Sequence, residues 1–356
     1  MSEDSEYLDQ LVDERQLREY LTAELGASDT FEVTYHEGGN SNEILFVTWD
    51  NMDLVLRRPP PGETASTAHQ ILREYRVLSA LQPTPVPVPR TVLSCEDTSI
   101  IGAEFYLMER VEGEVIGDSE PERFATPEYR RQIGTELIET LSHIHTVDYE
   151  AVGLGDFGRP SGFTQRQVDR WTKQMDWLYE EKGHDRHVSD LESLRDWLLD
   201  NVPESHPETL VHGDFRLDNM LFGTGTPPEL VAVLDWELST LGDPLTDLGF
   251  LLAHWRDPKD DADPAIPEWT SPHTEHPDYL TREQLVERYE ELTGLEFTNE
   301  RFYRALAVFK EAVAGEMFYA RYLDGETSDP LYPRMEHRVP SMAERGLRII
   351  SGNEPL

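Results

Sequence analysis

The stretch that most constrains this chain is residues 210–250, LVHGDFRLDNMLFGTGTPPELVAVLDWELSTLGDPLTDLGF. Three short apolar runs punctuate it: Leu210-Val211, Met220-Leu221-Phe222 and Leu230 to Leu234. Each reads as a brief strand that stops at a polar group or a tight loop, and catalytic groups are often presented on loops held by a rigid scaffold. His212-Gly213-Asp214 follows the first run, Asn219 comes five residues after Asp214, and Asp235 ends the third run. An Asp with an Asn at +5 reproduces the spacing of a phosphoryl-transfer loop. There a carboxylate orients the attacking hydroxyl, and hard oxygen ligands hold Mg²⁺ on the nucleotide phosphates. Magnesium keeps several waters, so one amide oxygen and one carboxylate suffice beside the phosphates. Asp and Asn also cluster in ordinary turns. It is the whole set, spaced between strands and followed by a helical stretch, that carries the signal.

HGDFRLDNMLF followed by VLDWELSTLGDPLTDLGFLL resembles the aminoglycoside-phosphotransferase-like (choline-kinase-like) small-molecule kinases. It is similar in particular to the branch that also occurs as a kinase-like domain fused to acyl-CoA dehydrogenases. A chain of 356 residues is too short to carry such a dehydrogenase as well. The resemblance implies an α+β, protein-kinase-like two-lobed fold, with a small antiparallel-sheet lobe and a larger helical one, and it implies ATP and Mg²⁺. By position Asp214 is then the catalytic base, and Asn219 and Asp235 are the metal ligands. Asn219 and Asp235 are expected to converge on one ion, opposite a guanidinium from the smaller lobe.

In the N-terminal part, residues 7–26 show apolar helical spacing ending at Gly26, which predicts one amphipathic helix. FEVTYH and ILFVTW flank Glu37-Gly38-Gly39-Asn40-Ser41-Asn42, a predicted β-hairpin. Its turn is either a plain turn or a phosphate cradle in which Gly38 and Gly39 let backbone N–H groups approach and Ser41 and Asn42 add donors. DLVLRR forms the next predicted strand. No lysine occurs before Lys173, so a phosphate-holding cation on this strand has to be arginine. The family pattern assigns that place to Arg57, with Arg58 on the opposite face. Glu74, beside the apolar stripe of a helix over 67–81, is the resemblance's partner for Arg57; the alternative is a solvated helix carboxylate. QPTPVPVPR alternates prolines and predicts an extended connector. FYLMERVEG resembles the family's inter-lobe hinge, where backbone groups from Glu109 to Val111 would bond adenine. The expected lobes are therefore 1–112 and 113–356.

In the second part, helices are predicted over 128–147, 164–182, 189–201, 281–293, 298–322 and 337–350. His143 and His145 lie two apart and face different ways, so packing or hydrogen bonding is expected of them rather than a shared metal. His212 is expected to buttress its loop, and Asp247 to brace it. Arg216 and Asp218 are loop candidates for substrate or metal contacts. Trp236-Glu237 follows Asp235 where protein kinases carry Phe-Gly, and the lost glycine argues for an enzyme without a switching activation loop. The proline-rich loop 256–278 is long enough to lie over a substrate site.

Composition narrows the partners. Seventy acidic residues face 31 basic ones, a net charge of −39, and only Lys173, Lys182, Lys259 and Lys310 are lysines. Such a field repels nucleic acid and anionic membranes. The acids are spread along the chain, as in the solvated surfaces of proteins from salt-loving organisms, and the fold is expected to need molar salt. No run of 18 apolar residues exists, and a single cysteine, Cys95, excludes an internal disulfide. The acidic start lacks the build of a signal peptide, so a cytoplasmic protein is expected. Two other readings stay open: a catalytically silent nucleotide-binding module, and a metal-dependent phosphohydrolase built on Asp214, Asp218 and Asp235. The expected acceptor is a small hydroxylated molecule. The overall acidity suits a cationic amine of aminoglycoside or choline type, whereas the family branch hints at a hydroxyacyl-CoA thioester.

Overall fold

The computed structural model describes all residues except 1–2, 37–41, 62–64, 118, 160, 183–185, 261–269 and 328. The expected phosphate-cradling glycines Gly38 and Gly39, and Ser41, lie outside the described residues. The chain divides into two compact units: residues 1–113 together with 231–239, and residues 114–230 together with 240–356. The stretch beginning after Leu230 and ending at Ser239, which contains Asp235, thus groups with the first unit.

The first unit begins with two helices, α1 (Glu3–Leu11) and α2 (Glu14–Leu25), where the apolar spacing predicts one. Asp13 breaks the run: its side chain accepts a hydrogen bond from the Gln16 amide at 3.0 Å, starting a fresh helix. Such a cap stabilises a helix by about 1 kcal/mol, whereas Asp inside a helix gains nothing comparable. A five-stranded antiparallel sheet follows, formed by β1 (Phe31–His36), β2 (Glu43–Trp49), β3 (Met52–Arg58), β4 (Thr91–Cys95) and β5 (Phe105–Glu109), in the order β1-β2-β3-β5-β4. Helix α3 (Ala65–Leu81) lies between β3 and β4 in sequence and packs on β3, β4 and β5. β3 is the central strand and is buried on both faces. Leu54 and Leu56 point into a cluster with Leu11, Leu17 and Leu21 of α1 and α2. Burying each of these leucines is worth roughly 1.5–3 kcal/mol. Alternation sends Arg58 to that same face, where it is buried and donates to the carbonyls of Pro59, Leu11 and Ile101. Arg57 therefore faces the α3 side. The proline connector after α3 is held by Gln82, which donates to the Leu78 and Pro89 carbonyls. The carbonyl of its Pro87 accepts from the Val233 amide at 2.8 Å.

The second unit is mainly helical. β6 (Glu114–Val115) leads to α4 (Pro127–His145), α5 (Phe163–Glu181) and α6 (Ser189–Asp200). Three short strands match the apolar runs of the sequence: β7 (Thr209–Val211), β8 (Met220–Phe222) and β9 (Leu230–Val233), the last crossing into the first unit. β10 (Thr240–Gly242) pairs antiparallel with β7, and β6 with β8. Then come α7 (Leu245–His254), α8 (Arg282–Thr293), α9 (Glu300–Leu323) and α10 (Met335–Ser351). α9 is the hub: α5, α6, α7 and α10 all pack on it. Between α7 and α8, the described ends of the long loop are tied down. Arg256 pairs with Glu275, and Arg282 with Asp260 at 2.5 Å.

Candidate active site

In the first unit, the central strand, α3 and the segment after β9 bring three predicted residues together: Arg57, Glu74 and Asp235. Arg57 Nη1 lies 2.5 Å from Glu74 Oε1, and Arg57 Nη2 lies 3.6 Å from Asp235 Oδ1. The pairing expected of Glu74 is present, and neither it nor Arg57 is a surface side chain: they are 2% and 8% exposed. Burial, with Asp235 and Glu237 acting in the same direction, pushes the Glu74 carboxyl up to about 7 although Arg57 pulls it down. Arg57 stays cationic beside these carboxylates, which raise its pKa although burial opposes it. Asp235 has φ +63°, a left-handed conformation costly for a residue with a side chain. Its Oδ1 is buried and accepts no hydrogen bond among the described residues.

The residues that follow hold Asp235 in this pose. The Trp236 amide donates to Glu74 Oε1 at 3.3 Å, and its buried indole donates to the Val233 carbonyl at 3.0 Å. Ser239 Oγ donates to the Trp236 carbonyl at 2.6 Å, and Glu237 accepts from the Asn42 side chain at 3.2 Å. At the expected adenine edge, the Glu109 amide is already bonded to the Arg90 carbonyl, and the Arg110 amide to that of Asp53, both at 2.8 Å. The Val111 amide carries no bond among the described residues.

In the second unit, Asp214 and Asn219 meet. The Asn219 amide nitrogen donates to both the carbonyl and Oδ2 of Asp214, each at 2.8 Å. That turns the Asn219 amide oxygen away from Asp214. Burial would raise the Asp214 pKa, but Arg216, His212, His254 and the Asn219 bond hold it below the usual carboxylate range. Asp214 is thus an oriented carboxylate, its side chain 23% exposed. Arg216 bridges it to Asp218, at 3.8 and 3.5 Å.

The loop's shape comes from Asp247. One carboxylate oxygen accepts from the His212 amide at 2.6 Å, the other from the Gly213 amide at 2.9 Å. His145, itself bonded to the Tyr289 hydroxyl at 2.7 Å, lies 3.3 Å from the same carboxylate. Gly213 adopts φ +90°, open to glycine and strained for other residues. His212 is fully buried, and its Nδ1 lies 3.3 Å from the Asp214 amide, so it buttresses the loop as expected.

Sequence reasoning missed Lys310, on α9. Its Nζ is 3.5 Å from the Gly213 carbonyl and sits 5.0 Å from the centre of the Phe250 ring. Burial lowers its pKa, while Asp214 and Asp247 raise it. The available signal was its rarity as one of four lysines.

The residues fit the groups implied by the sequence. Asp235 offers an unbonded buried oxygen next to a guanidinium, and Asn219 an outward amide oxygen. Among the described residues no three His, Cys, Asp or Glu side chains are grouped to hold a metal by themselves. An ion bound by this chain would complete its shell with phosphate and water oxygens.

Comparison with known proteins bears on the family and the fold. The model of the family described as "Phosphotransferase enzyme family" matches residues 32–291. Human acyl-CoA dehydrogenase family member 11 is 34% identical over 347 residues, covering 95% of this chain and 43% of that protein. Mouse acyl-CoA dehydrogenase family member 10 is 35% identical, covering 92% of this chain and 30% of that protein. The chain thus spans less than half the length of these curated relatives. A provisionally named aminoglycoside phosphotransferase from Ralstonia eutropha JMP134 superposes with a TM-score of 0.82 at 33% identity, over 96% of this chain and 98% of that one. The GDP complex of aminoglycoside 2'-phosphotransferase-IIIa, at 13% identity and a TM-score of 0.64 over 94% and 99% of the two chains, shares the fold. These likenesses bear out the protein-kinase-like α+β fold and the branch expected from the motifs. With the family model covering most of its length and relatives a third identical along nearly all of it, this chain belongs to the phosphotransferase enzyme family.

Proposed function

We propose that this chain transfers a phosphoryl group from Mg²⁺-bound ATP to a hydroxyl group of a small molecule. The observation that carries the reading is the Asp214–Asn219 pair, a charged carboxylate aimed by an amide and left partly open to solvent. When bound, Mg·ATP supplies the phosphoryl group and the charge that neutralises its oxygens. Asp214 accepts the hydrogen bond of the acceptor hydroxyl and takes its proton as the oxygen attacks phosphorus and the bond to the leaving ADP breaks. Arg57, kept in place by Glu74, grips phosphate oxygens with a planar fork where a lysine would offer a point charge. Asp235 would offer Mg²⁺ its unbonded carboxylate oxygen and Asn219 its amide oxygen, and the Val111 amide would offer the adenine edge a donor.

The test is an ATP titration with and without Mg²⁺, followed by an assay of acceptor-dependent ADP release. Binding that needs Mg²⁺ and is lost in Asp235→Ala, together with ADP release that needs an acceptor, supports the proposal. ADP release without any acceptor points to a hydrolase, and binding without turnover on any acceptor to a silent module.

We also propose that the fold is adapted to high salt. Its support is the net charge of −39 with acids spread along the chain. At molar KCl the Debye length falls to about 3 Å, which mutes repulsion between surface carboxylates. The melting temperature should climb steadily from dilute buffer to molar KCl; a flat profile refutes the adaptation. The described residues contain no helix long and apolar enough to cross a membrane.

A further inference from the structure

The acidity of the chain as a whole suits a cationic acceptor, but one face of the second unit has the opposite character. Between Arg159 and Lys173 the chain carries four cations against one acid, Asp169. On α5 they recur at helical spacing: Arg166, Arg170 and Lys173 line one open hollow of about 550 Å³ with Gln167, Asp169 and Gln174. All three cations are exposed. In a chain with 70 carboxylates and 31 cations, none of the three is ion-paired to a carboxylate among the described residues. Arg166 donates to the carbonyls of Ser161 and Arg159, and the Arg170 guanidinium sits 5.6 Å from the centre of the Trp171 ring. Asp169, the one acid in the lining, accepts from Gln165 at 2.9 Å. Solvated acids elsewhere in the chain pair readily with arginine, so cations left unpaired together stand out.

The hollow belongs to the same unit as Asp214, and α5 is fixed to the frame that carries the catalytic loop. Thr164 donates to Asp243 at 3.2 Å, just ahead of α7 and its loop-bracing Asp247. A Cβ on Gly242 would come within 2.8 Å of the Phe163 ring, so glycine is what lets the start of α5 approach β10. α5 also packs on α9, which carries Lys310 up to the Gly213 carbonyl, and Arg170 is close enough to Lys310 to help lower its pKa, chiefly set by burial. A row of positive charge therefore runs from the hollow toward the residue before Asp214.

We propose that the α5 hollow seats an anionic group of the acceptor, a phosphate monoester or diphosphate by chemical class, while the acceptor hydroxyl lies at Asp214. This rests on the phosphotransfer reading and narrows its substrate. Arg170 and Lys173 supply the charge, with Gln167 and Gln174 as neutral donors to phosphate oxygens.

The test uses three chain-length series on the full chain: ω-hydroxyalkyl phosphates, ω-hydroxyalkyl trimethylammonium ions and α,ω-diols. Each is assayed for Mg·ATP-dependent ADP release at the lowest KCl that keeps the protein folded. The phosphate series is expected to give the highest kcat/KM. Reversing the charge in R170E/K173E should cut its preference over the diols at least tenfold, mostly through KM, while Mg·ATP affinity stays at the parent value. Binding of the preferred ω-hydroxyalkyl phosphate without nucleotide, followed by calorimetry, should weaken in the same variant. Preference for the trimethylammonium series, or a phosphate preference and binding that ignore charge reversal, overturns the anionic subsite and leaves phosphotransfer standing. Loss of Mg·ATP binding or of all acceptor-dependent turnover in the parent protein is a failure of the phosphotransfer reading instead. In that case, calorimetry alone decides whether the hollow takes the anion, and absence of binding overturns it.

Discussion

The two units hold the carboxylates of the candidate site by different physics. In the first, charge answers charge: Glu74 and Asp235 flank Arg57, and the first pair is sealed between sheet and helix. In the second, a buried carboxylate answers backbone: Asp247 grips two consecutive amides and leaves Asp214 partly open. The difference teaches where each unit is fragile. Removing one member of a buried ion pair strands an opposite charge in a medium that penalises it. Removing a partly exposed acid strands little, so replacing Asp214 should leave the fold nearly untouched.

That contrast is broken most directly at Asp214. Asp214→Asn should lower turnover by about 10²–10⁴ with the thermal midpoint and Mg·ATP affinity close to the parent's, as followed by ADP release, calorimetry and melting. Parent-level turnover would remove Asp214 from its role. Next in size is Arg57→Ala, which leaves Glu74 buried without its cation. Chemical denaturation should show a loss of about 3–5 kcal/mol, and the double change with Glu74→Gln should recover part of it. A fully additive double change would mean the two residues do not act as a pair.

The smallest effect sharpens the backbone side of the comparison. Asp247→Asn keeps an acceptor for one amide and loses the charge, so it should cost roughly 1–3 kcal/mol at neutral pH. Its pH dependence has a definite sign. Burial raises the Asp247 pKa, but the His145 bond, the nearby histidines and the Gly213 amide outweigh it and leave it below 3.8. A carboxyl held lower in the folded state contributes its stability above the unfolded pKa and loses it as pH falls toward the folded one. The parent should therefore lose stability below about pH 4 more steeply than Asp247→Asn, as denaturation curves at successive pH values would show. Parallel slopes would contradict the bracing role.

Much of the site was legible in the sequence because it sits where apolar runs stop. Leu210-Val211, Met220 to Phe222 and Leu230 to Val233 all form strands, so the polar groups after them could be placed before any coordinates. Strand alternation separated Arg57 from Arg58, and α3 put Glu74 opposite the former. What periodicity could not give was the break at Asp13, where a local cap outweighs a continuing apolar stripe. The cue existed, an Asp three residues before Gln16, as in a helix-starting box. Nor did it show that the Asp235 segment packs with the first unit, because that depends on contacts far apart in sequence, such as Val233 with Pro87. The cations of α5 escaped notice because three- and four-residue spacing hides a basic face from a search for basic runs. Lys310 reaches the Gly213–Asp214 loop from α9, about a hundred residues away in the chain, which no local pattern reports.

The guanidinium of the central strand also decides which reagents can report on this protein. Nucleotide probes that acylate a conserved amine would find none at position 57, and none anywhere ahead of Lys173. Any such labelling would have to fall elsewhere, for instance on Lys310 beside the Gly213 carbonyl. Occupancy at the Arg57 position itself has to be read by competition or by heat.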